Sequence, residues 1–98
     1  MKLRINPIVA EDLKNIKMFI AEDNVEMAVK TIQEIYARFE DIKQFPYMGT
    51  ELARRVHFQT DYKYVISGNY VILYKIREIY IEIYRVVNRY QDITRIFE

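Results

Sequence analysis

Four basic side chains and one tyrosine in the second half of the sequence have the chemistry to hold a phosphate group: Arg55, Lys63, Arg85, Arg89 and Tyr90. Guanidinium and ammonium groups bind phosphate oxygens, and a tyrosine stacks on a base or bonds a phosphate through its hydroxyl. Each also has an ordinary structural explanation, such as a salt bridge for Arg85 or a guard against edge pairing for Lys63. We treat the five as candidate catalytic residues. Whether they can act together depends on the helices and strands that position them.

Metal and cofactor chemistry has little support. His57 is the only histidine and cysteine is absent, so neither a thiolate site nor a histidine-based zinc site is expected. The 15 basic and 14 acidic side chains nearly cancel, so net charge gives no large attraction for nucleic acid or anionic lipid. We expect no cofactor and no metal.

The length and composition predict one domain, residues 1–98, around one core. Hydrophobic residues make up 51% of the chain, with only two glycines and two prolines, which favours a regular fold over disorder. The first residues alternate in polarity instead of forming a signal-peptide core, and the longest uncharged run, residues 64–74, is too short to cross a bilayer. We expect a cytoplasmic protein with no membrane partner.

Two runs of β-branched and aromatic residues, 70–76 and 79–87, predict paired strands. A third strand is predicted over 61–66, with its tyrosines on one face and Lys63 on the other. Ser67-Gly68-Asn69 is a typical hairpin turn between the first two of these strands in chain order. A second turn near Arg77-Glu78 completes a three-stranded meander.

The first half predicts a short strand and two helices. After alternating residues 3–5, Asn6 is suited to cap a helix and Pro7 to begin it, and apolar spacing carries that helix to about Glu22. Asp23 and Glu26 then form a capping box for a second, longer helix. Its apolar residues repeat at alternating three- and four-residue spacing: Val25, Ala28, Ile32, Ile35, Phe39 and Ile42. This stripe favours an antiparallel hairpin of helices against the sheet; a coiled-coil homodimer is the alternative.

The complete prediction is an α+β fold of order β-α-α-β-β-β, with an antiparallel sheet packed against an N-terminal helical hairpin. Residues 51–59 are predicted to form a loop, and 92–97 a short helix or a frayed tail. Six tyrosines of the strands suggest either a stacking platform for single-stranded nucleic acid or a half-exposed sheet face. They are Tyr62, Tyr64, Tyr70, Tyr74, Tyr80 and Tyr84.

Several motifs occur in this order along the chain: Pro46 and Gly49; Arg54 and Arg55; Gly68, Tyr70 and Tyr74; and Ile81-Glu82-Ile83-Tyr84-Arg85-Val86-Val87-Asn88-Arg89-Tyr90-Gln91-Asp92. With this order of elements, the chain resembles the RelE/ParE superfamily of bacterial type II toxins. The resemblance implies the toxin of a toxin-antitoxin, or plasmid stabilisation, module that a cognate antitoxin silences in a hetero-oligomer.

The superfamily has two known actions, ribosome-dependent cleavage of mRNA and poisoning of DNA gyrase. Where RelE-like members commonly carry an arginine in the third strand pattern, this chain has Val71, and where they often carry a histidine at the strand end it has Asn88. Asparagine does not titrate near neutral pH. The resemblance is therefore closer to the ParE-like branch and implies action on gyrase.

Two alternatives stay open at this point. One is a metal-free, ribosome-dependent endoribonuclease that would place Arg85, Arg89 and Tyr90, with Arg55 or Lys63, around one phosphate. The other is an inactive or divergent binding module.

Overall fold

The computed structural model describes residues 1–91 and 93–97. The elements follow in the order β1 (Lys2–Ile5), α1 (Pro7–Ala21), α2 (Val25–Gln44), β2 (Thr50–Glu51), β3 (Lys63–Ser67), β4 (Tyr70–Ile76) and β5 (Tyr80–Asn88). Two 3₁₀ helices lie at Leu52–Arg54 and Ile93–Phe97. The predicted α+β order is confirmed, while strand β2 and the first 3₁₀ helix occupy part of the segment predicted to be a loop.

The five strands form one sheet in the order β1-β5-β4-β3-β2. Strands β3, β4 and β5 form the predicted antiparallel meander, and β2, which was not predicted, pairs antiparallel with β3. Strand β1 runs parallel to β5, from the pair Lys2–Tyr80 to the pair Ile5–Ile83, so the whole sheet is mixed. Parallel neighbours need a long crossover, and the helices and the other strands supply it here.

The first residues of α1 and α2 show which side chains cap the helices. The Asn6 side chain accepts a hydrogen bond from the Ile8 backbone N–H at 3.1 Å, and Pro7 is the first helical residue, as predicted. The predicted cap of α2 at Asp23 is wrong by one residue. Asn24 is the cap and accepts from the Met27 N–H at 3.0 Å, because Asn24 has the extended backbone, with φ of −157° and ψ of 101°, that a cap residue needs.

The apolar stripes of both helices pack on one face of the sheet and form the main core. This core contains Val9, Leu13, Ile16, Ile35, Phe39, Ile42, Val65, Tyr70, Ile72, Tyr74, Ile81, Ile83 and Val86. The heptad-like pattern of α2 is therefore satisfied within the chain, except at its first position, where Val25 is 65% exposed.

The opposite face of the sheet carries a second cluster of buried side chains: Leu52, Tyr64, Val71, Leu73 and Val87. Apolar residues of the C-terminal 3₁₀ helix, Ile93, Ile96 and Phe97, pack against this cluster. The face predicted to be half exposed is thus partly covered by the chain's own C-terminal segment. The predicted start of that segment, Asp92, lies outside the described residues.

The Pro-x-x-Gly motif is tied to the sheet through Tyr74. The Tyr74 hydroxyl donates to the Pro46 carbonyl at 2.8 Å and accepts from the Gly49 N–H at 2.9 Å. A Cβ atom at position 49 would lie 2.8 Å from Tyr74 Cε1, so only glycine allows this close approach. Burial raises the pKa of the Tyr74 hydroxyl above its ordinary value.

Within the part of the chain that the structure describes, no helix combines the length and the apolar character needed to cross a membrane.

Candidate functional site

An irregularity in β5 decides where Arg85 lies. Arg85 is opposite Leu73 and Ile83 is opposite Tyr74, so Tyr84 is an extra residue in β5 and forms a β-bulge. The bulge breaks the alternation that predicted Arg85 to share a face with the isoleucines at 79, 81 and 83. Strand β1 pairs with β5 only as far as Ile83, so the edge of β5 beyond this point is left for a side chain of α1.

That side chain is Asp12, and the contact is here named the Asp12–Arg85 corner. Asp12 accepts two hydrogen bonds from the Arg85 guanidinium and one from the Val86 backbone N–H, each at 2.9 Å. The Arg85 and Asp12 side chains are only 22% and 10% exposed, and the hydrogen bonds from Arg85 to Asp12 raise the pKa of Arg85. The salt bridge offered as the structural explanation of Arg85 is therefore present.

Two other candidates meet at a second site, here named the Arg55–Arg89 cleft. Arg55 and Arg89 line a cleft of about 140 Å³ between the first 3₁₀ helix and the segment after β5. Arg55 Cζ lies 5.5 Å from the centre of the buried Tyr64 ring. Arg89 donates from Nη1 to the Gly68 carbonyl at 3.3 Å. Among the described residues that line this cleft, none is acidic.

Tyr90 adjoins the Arg55–Arg89 cleft. Its ring centre lies 5.6 Å from Arg89 Cζ, and the side chain is 78% exposed. The Tyr90 backbone N–H donates to Asn88 Oδ1 at 2.8 Å, which fixes the turn after β5. Arg55, Arg89 and Tyr90 are thus the predicted residues that the structure brings together.

Lys63 lies elsewhere. It is opposite Tyr74 on β3, on the helix side of the sheet, and its Nζ lies 5.9 Å from the Tyr47 ring centre. Lys63 precedes Ser67, at the end of the sheet next to Arg89, by four positions, which corresponds to about 13 Å along a strand. The five candidates do not surround one centre, and their catalytic role stays a prediction.

The six strand tyrosines do not form one platform. Tyr70 and Tyr74 belong to the core under the helices, whereas Tyr62 and Tyr84 are on the opposite face, with their ring centres 5.2 Å apart. The Phe97 ring lies 5.3 Å from Tyr62 and 5.8 Å from Tyr84 and partly covers them. The platform hypothesis is therefore wrong, because Tyr64 lies opposite Leu73 and not opposite a tyrosine, which places Tyr70 and Tyr74 on the other face of the sheet.

The sequence did not reveal an apolar groove between the helices and the end of the sheet, here named the helix–strand groove. One part, of about 310 Å³, lies between α1 and β5, and a second, of about 420 Å³, lies between the helices and the β3–β4 turn. Phe19, Tyr70 and Asn88 line both parts. Phe19 is 70% exposed. An aromatic residue outside the apolar stripe of α1 was the one feature of the sequence that could have indicated this groove.

Arg54 and His57, the other residues considered in the sequence, do not line the Arg55–Arg89 cleft. Arg54, the neighbour of Arg55, forms an exposed ion pair with Glu51 at 3.6 Å. His57 is exposed in the segment between the first 3₁₀ helix and β3. Among the described residues, no group of acidic and histidine side chains is arranged to hold a metal ion.

Comparisons with known proteins agree with this architecture. A family model described as the ParE toxin of the type II toxin-antitoxin system, parDE, matches residues 3–93. No curated protein matches the chain. A solved structure of the chromosomal ParDE TA system from P. aeruginosa superposes with a TM-score of 0.73 at 19% identity, over 90% of this chain and 95% of that one. At this level of identity the structural likeness is a likeness of fold.

Proposed function

The chain belongs to the ParE toxin family of type II toxin-antitoxin systems, and from this premise we propose that it stops bacterial growth by binding DNA gyrase without catalysis of its own. Gyrase works in the cytoplasm, so the proposed action requires the toxin to be there. A cognate antitoxin is the proposed partner that silences it.

The observation that carries this proposal is the Asp12–Arg85 corner. An arginine that clamps a phosphate in a transition state needs an exposed and uncompensated charge, but Arg85 is only 22% exposed and is paired with Asp12 at 2.9 Å. Lys63 lies on the helix side of the sheet, away from Arg89. With Asn88 in place of a titratable histidine, the site favours binding over acid–base cleavage.

The experiment is a supercoiling assay with purified toxin, gyrase and relaxed plasmid, run beside a translation reaction in which ribosome-bound mRNA is probed for cuts. We expect inhibited supercoiling with intact mRNA. Cut mRNA with unaffected gyrase would contradict the proposal. Absence of both effects, together with normal growth after induction of the gene, would identify an inactive or divergent member.

The helix–strand groove is the proposed site for the antitoxin. Its apolar walls, from Ile16, Phe19 and Val86, suit the apolar face of a partner segment, while Asn15 and Asn88 supply polar groups at the rim. An exposed aromatic side chain such as Phe19 is the type of residue that anchors interfaces.

Substitution at Phe19 tests this site. Phe19→Glu is expected to weaken rescue of growth by the antitoxin encoded beside the toxin gene, because a carboxylate would be desolvated in the groove. Phe45→Glu is the matched control, since Phe45 is 60% exposed and lies outside the groove. Equal rescue of the two variants would exclude the groove as the antitoxin site.

Ribosome-dependent mRNA cleavage is the second candidate function, favoured by the presence of Arg55 and Arg89 in one cleft with Tyr90 beside it. Cleavage would need Tyr90 or Arg89 for toxicity. If Arg89→Ala and Tyr90→Phe fold normally and stay fully toxic, this candidate is excluded; loss of toxicity together with loss of mRNA cuts would support it.

A further inference from the structure

We propose that the Arg55–Arg89 cleft binds a backbone phosphate of a single-stranded nucleic acid, with Tyr90 as the stacking surface for an adjacent base. The inference goes beyond gyrase binding, because it concerns a ligand that the toxin holds itself and requires no cleavage. The three residues involved, Arg55, Arg89 and Tyr90, are the candidates that the structure brings together.

The charges of the cleft favour an anionic ligand. Within residues 1–91 and 93–97, four arginines have a carboxylate partner: Arg38, Arg54, Arg77 and Arg85. Arg55 and Arg89 have no ion pair within the described residues, yet they line the same cleft. Two guanidinium groups held near each other repel, and an anion between them removes that repulsion and accepts their hydrogen bonds. The cleft is therefore complementary to a negative group from outside the chain.

Both arginine side chains already have contacts that hold them at the cleft. Arg55 lies over Tyr64, which is 9% exposed and fixed in the sheet. Arg89 is held through its backbone N–H, which donates to the Asn69 carbonyl at 2.8 Å, and through its bond to Gly68. Because a guanidinium has five N–H donors, the bond to Gly68 leaves Arg89 donors for a ligand. A positioned arginine loses less side-chain freedom on binding.

Size and surroundings indicate the class of ligand. At about 140 Å³ the cleft is smaller than the roughly 300–1,000 Å³ of typical small-molecule pockets, so it suits one charged group of a larger molecule. Tyr90 presents an exposed ring directly beside Arg89. A cation with an adjacent exposed aromatic ring is the arrangement that binds single-stranded nucleic acid, whereas an acidic peptide needs no stacking ring.

The test is fluorescence anisotropy with the full chain and a fluorescein-labelled oligothymidylate of about ten nucleotides, measured at several salt concentrations. Arg55→Gln and Arg89→Gln are each expected to weaken binding roughly tenfold at low salt and to reduce the salt slope by about 0.7. Tyr90→Ala is expected to weaken binding roughly tenfold as well, and Tyr90→Phe to retain it. Arg54→Gln, next to Arg55 but paired with Glu51, should stay within about twofold of the unmodified protein.

Two results would overturn the inference, provided that circular dichroism shows each variant to be folded. The first is an equal salt slope for Arg54→Gln, Arg55→Gln and Arg89→Gln. The second is displacement of bound label by a glutamate-rich peptide but not by inorganic phosphate or unlabelled oligothymidylate, which would assign the cleft to an acidic protein partner. Oligonucleotide binding by a toxin that leaves gyrase active would overturn the proposed function and keep this inference.

Discussion

The Asp12–Arg85 corner and the Arg55–Arg89 cleft use the same side chain in opposite ways. In the corner, a guanidinium that is only 22% exposed makes two bonds to a carboxylate, which also accepts a backbone N–H. In the cleft, two exposed arginines lie 5.5 and 5.6 Å from tyrosine ring centres and have no ion pair among the described residues. The first arrangement holds an edge of the fold, and the second leaves positive charge available.

Burial explains the difference. A charge that has lost most of its water must be compensated within the protein, so Arg85 depends on Asp12. An exposed guanidinium is solvated and can stay without a partner at little cost. In this protein, an arginine that is held in place without an ion pair is therefore a better indication of a binding site than arginine as a residue type. Stability measurements can test this contrast between the corner and the cleft.

The largest expected effect is at the corner. Asp12→Ala leaves Arg85 partly buried without its carboxylate and the Val86 N–H without its acceptor, so we expect a loss of about 3 kcal/mol in the free energy of unfolding. Urea denaturation measures it. Asp41→Ala, which breaks the more exposed pair with Arg38, is the control and should cost less than about 1 kcal/mol. Similar losses in the two variants would show that burial does not distinguish the corner.

Tyr74→Phe applies the same rule to a neutral group. It leaves the Pro46 carbonyl and the Gly49 N–H without the hydroxyl that bonds both, and we expect a loss of about 2 kcal/mol. Tyr80→Phe is the control, since Tyr80 is a half-buried tyrosine of β5. A cost below about 0.5 kcal/mol for Tyr74→Phe would mean that water replaces the hydroxyl in the folded protein.

Alkaline pH should weaken the same contact. Burial raises the pKa of Tyr74 in the folded protein, so the hydroxyl loses its proton less readily there than in the unfolded chain. The resulting stability is fully present below the ordinary value of 10.0 and is lost as the pH rises through the folded-state pKa. Denaturation at about pH 8 and pH 11 should show a smaller decline in Tyr74→Phe than in the unmodified protein. An equal decline in the two proteins would mean that the loss of stability at alkaline pH comes from titrating groups other than Tyr74.

Phosphate should stabilise the protein through the cleft. If inorganic phosphate binds with a Kd of about 10 mM, about 50 mM phosphate should add about 1 kcal/mol to the free energy of unfolding. Sodium chloride at matched ionic strength controls for screening. The double variant Arg55→Gln, Arg89→Gln should lose the phosphate effect, and equal stabilisation of both proteins would place bound phosphate elsewhere.

The smallest expected change in stability is at the Arg55–Arg89 cleft. Arg55→Gln alone, without phosphate, should change the free energy of unfolding by less than about 0.5 kcal/mol, because the side chain is exposed and has no ion pair among the described residues. Urea denaturation in the same buffer as Asp12→Ala makes the two values comparable. A cost above about 2 kcal/mol would mean that Arg55 is structural and would weaken the case for the cleft.

The parts of the fold that the sequence predicted are the parts that local chemistry decides. Asn6 and Pro7 specify a helix start within two residues, and Gly68 adopts a positive φ of 57° in the turn where it was expected. The alternation of Tyr64 and Val65 correctly separated the two faces of β3. Each of these signals is complete within a few residues.

The parts that it missed depend on distant contacts. Asp12 and Arg85 are 73 residues apart, and nothing near either residue identifies the other. The bulge at Tyr84 has no glycine to mark it, yet it reverses the expected side of the strand from there on. Arg55 and Arg89 were both recognised as candidates, but only the path of the chain between Leu52 and Arg55 and after β5 brings them into one cleft.

The parallel pairing of β1 with β5 determines when the sheet can be completed during folding. The first strand has its sheet neighbour in the last strand, and the Asp12–Arg85 bonds close a loop of the same size. Contacts this distant in sequence form late, after most of the entropy of the chain has been lost. During synthesis β1 can pair with β5 only after residues 80–83 have been made, so the surface that depends on this pairing forms only after that point.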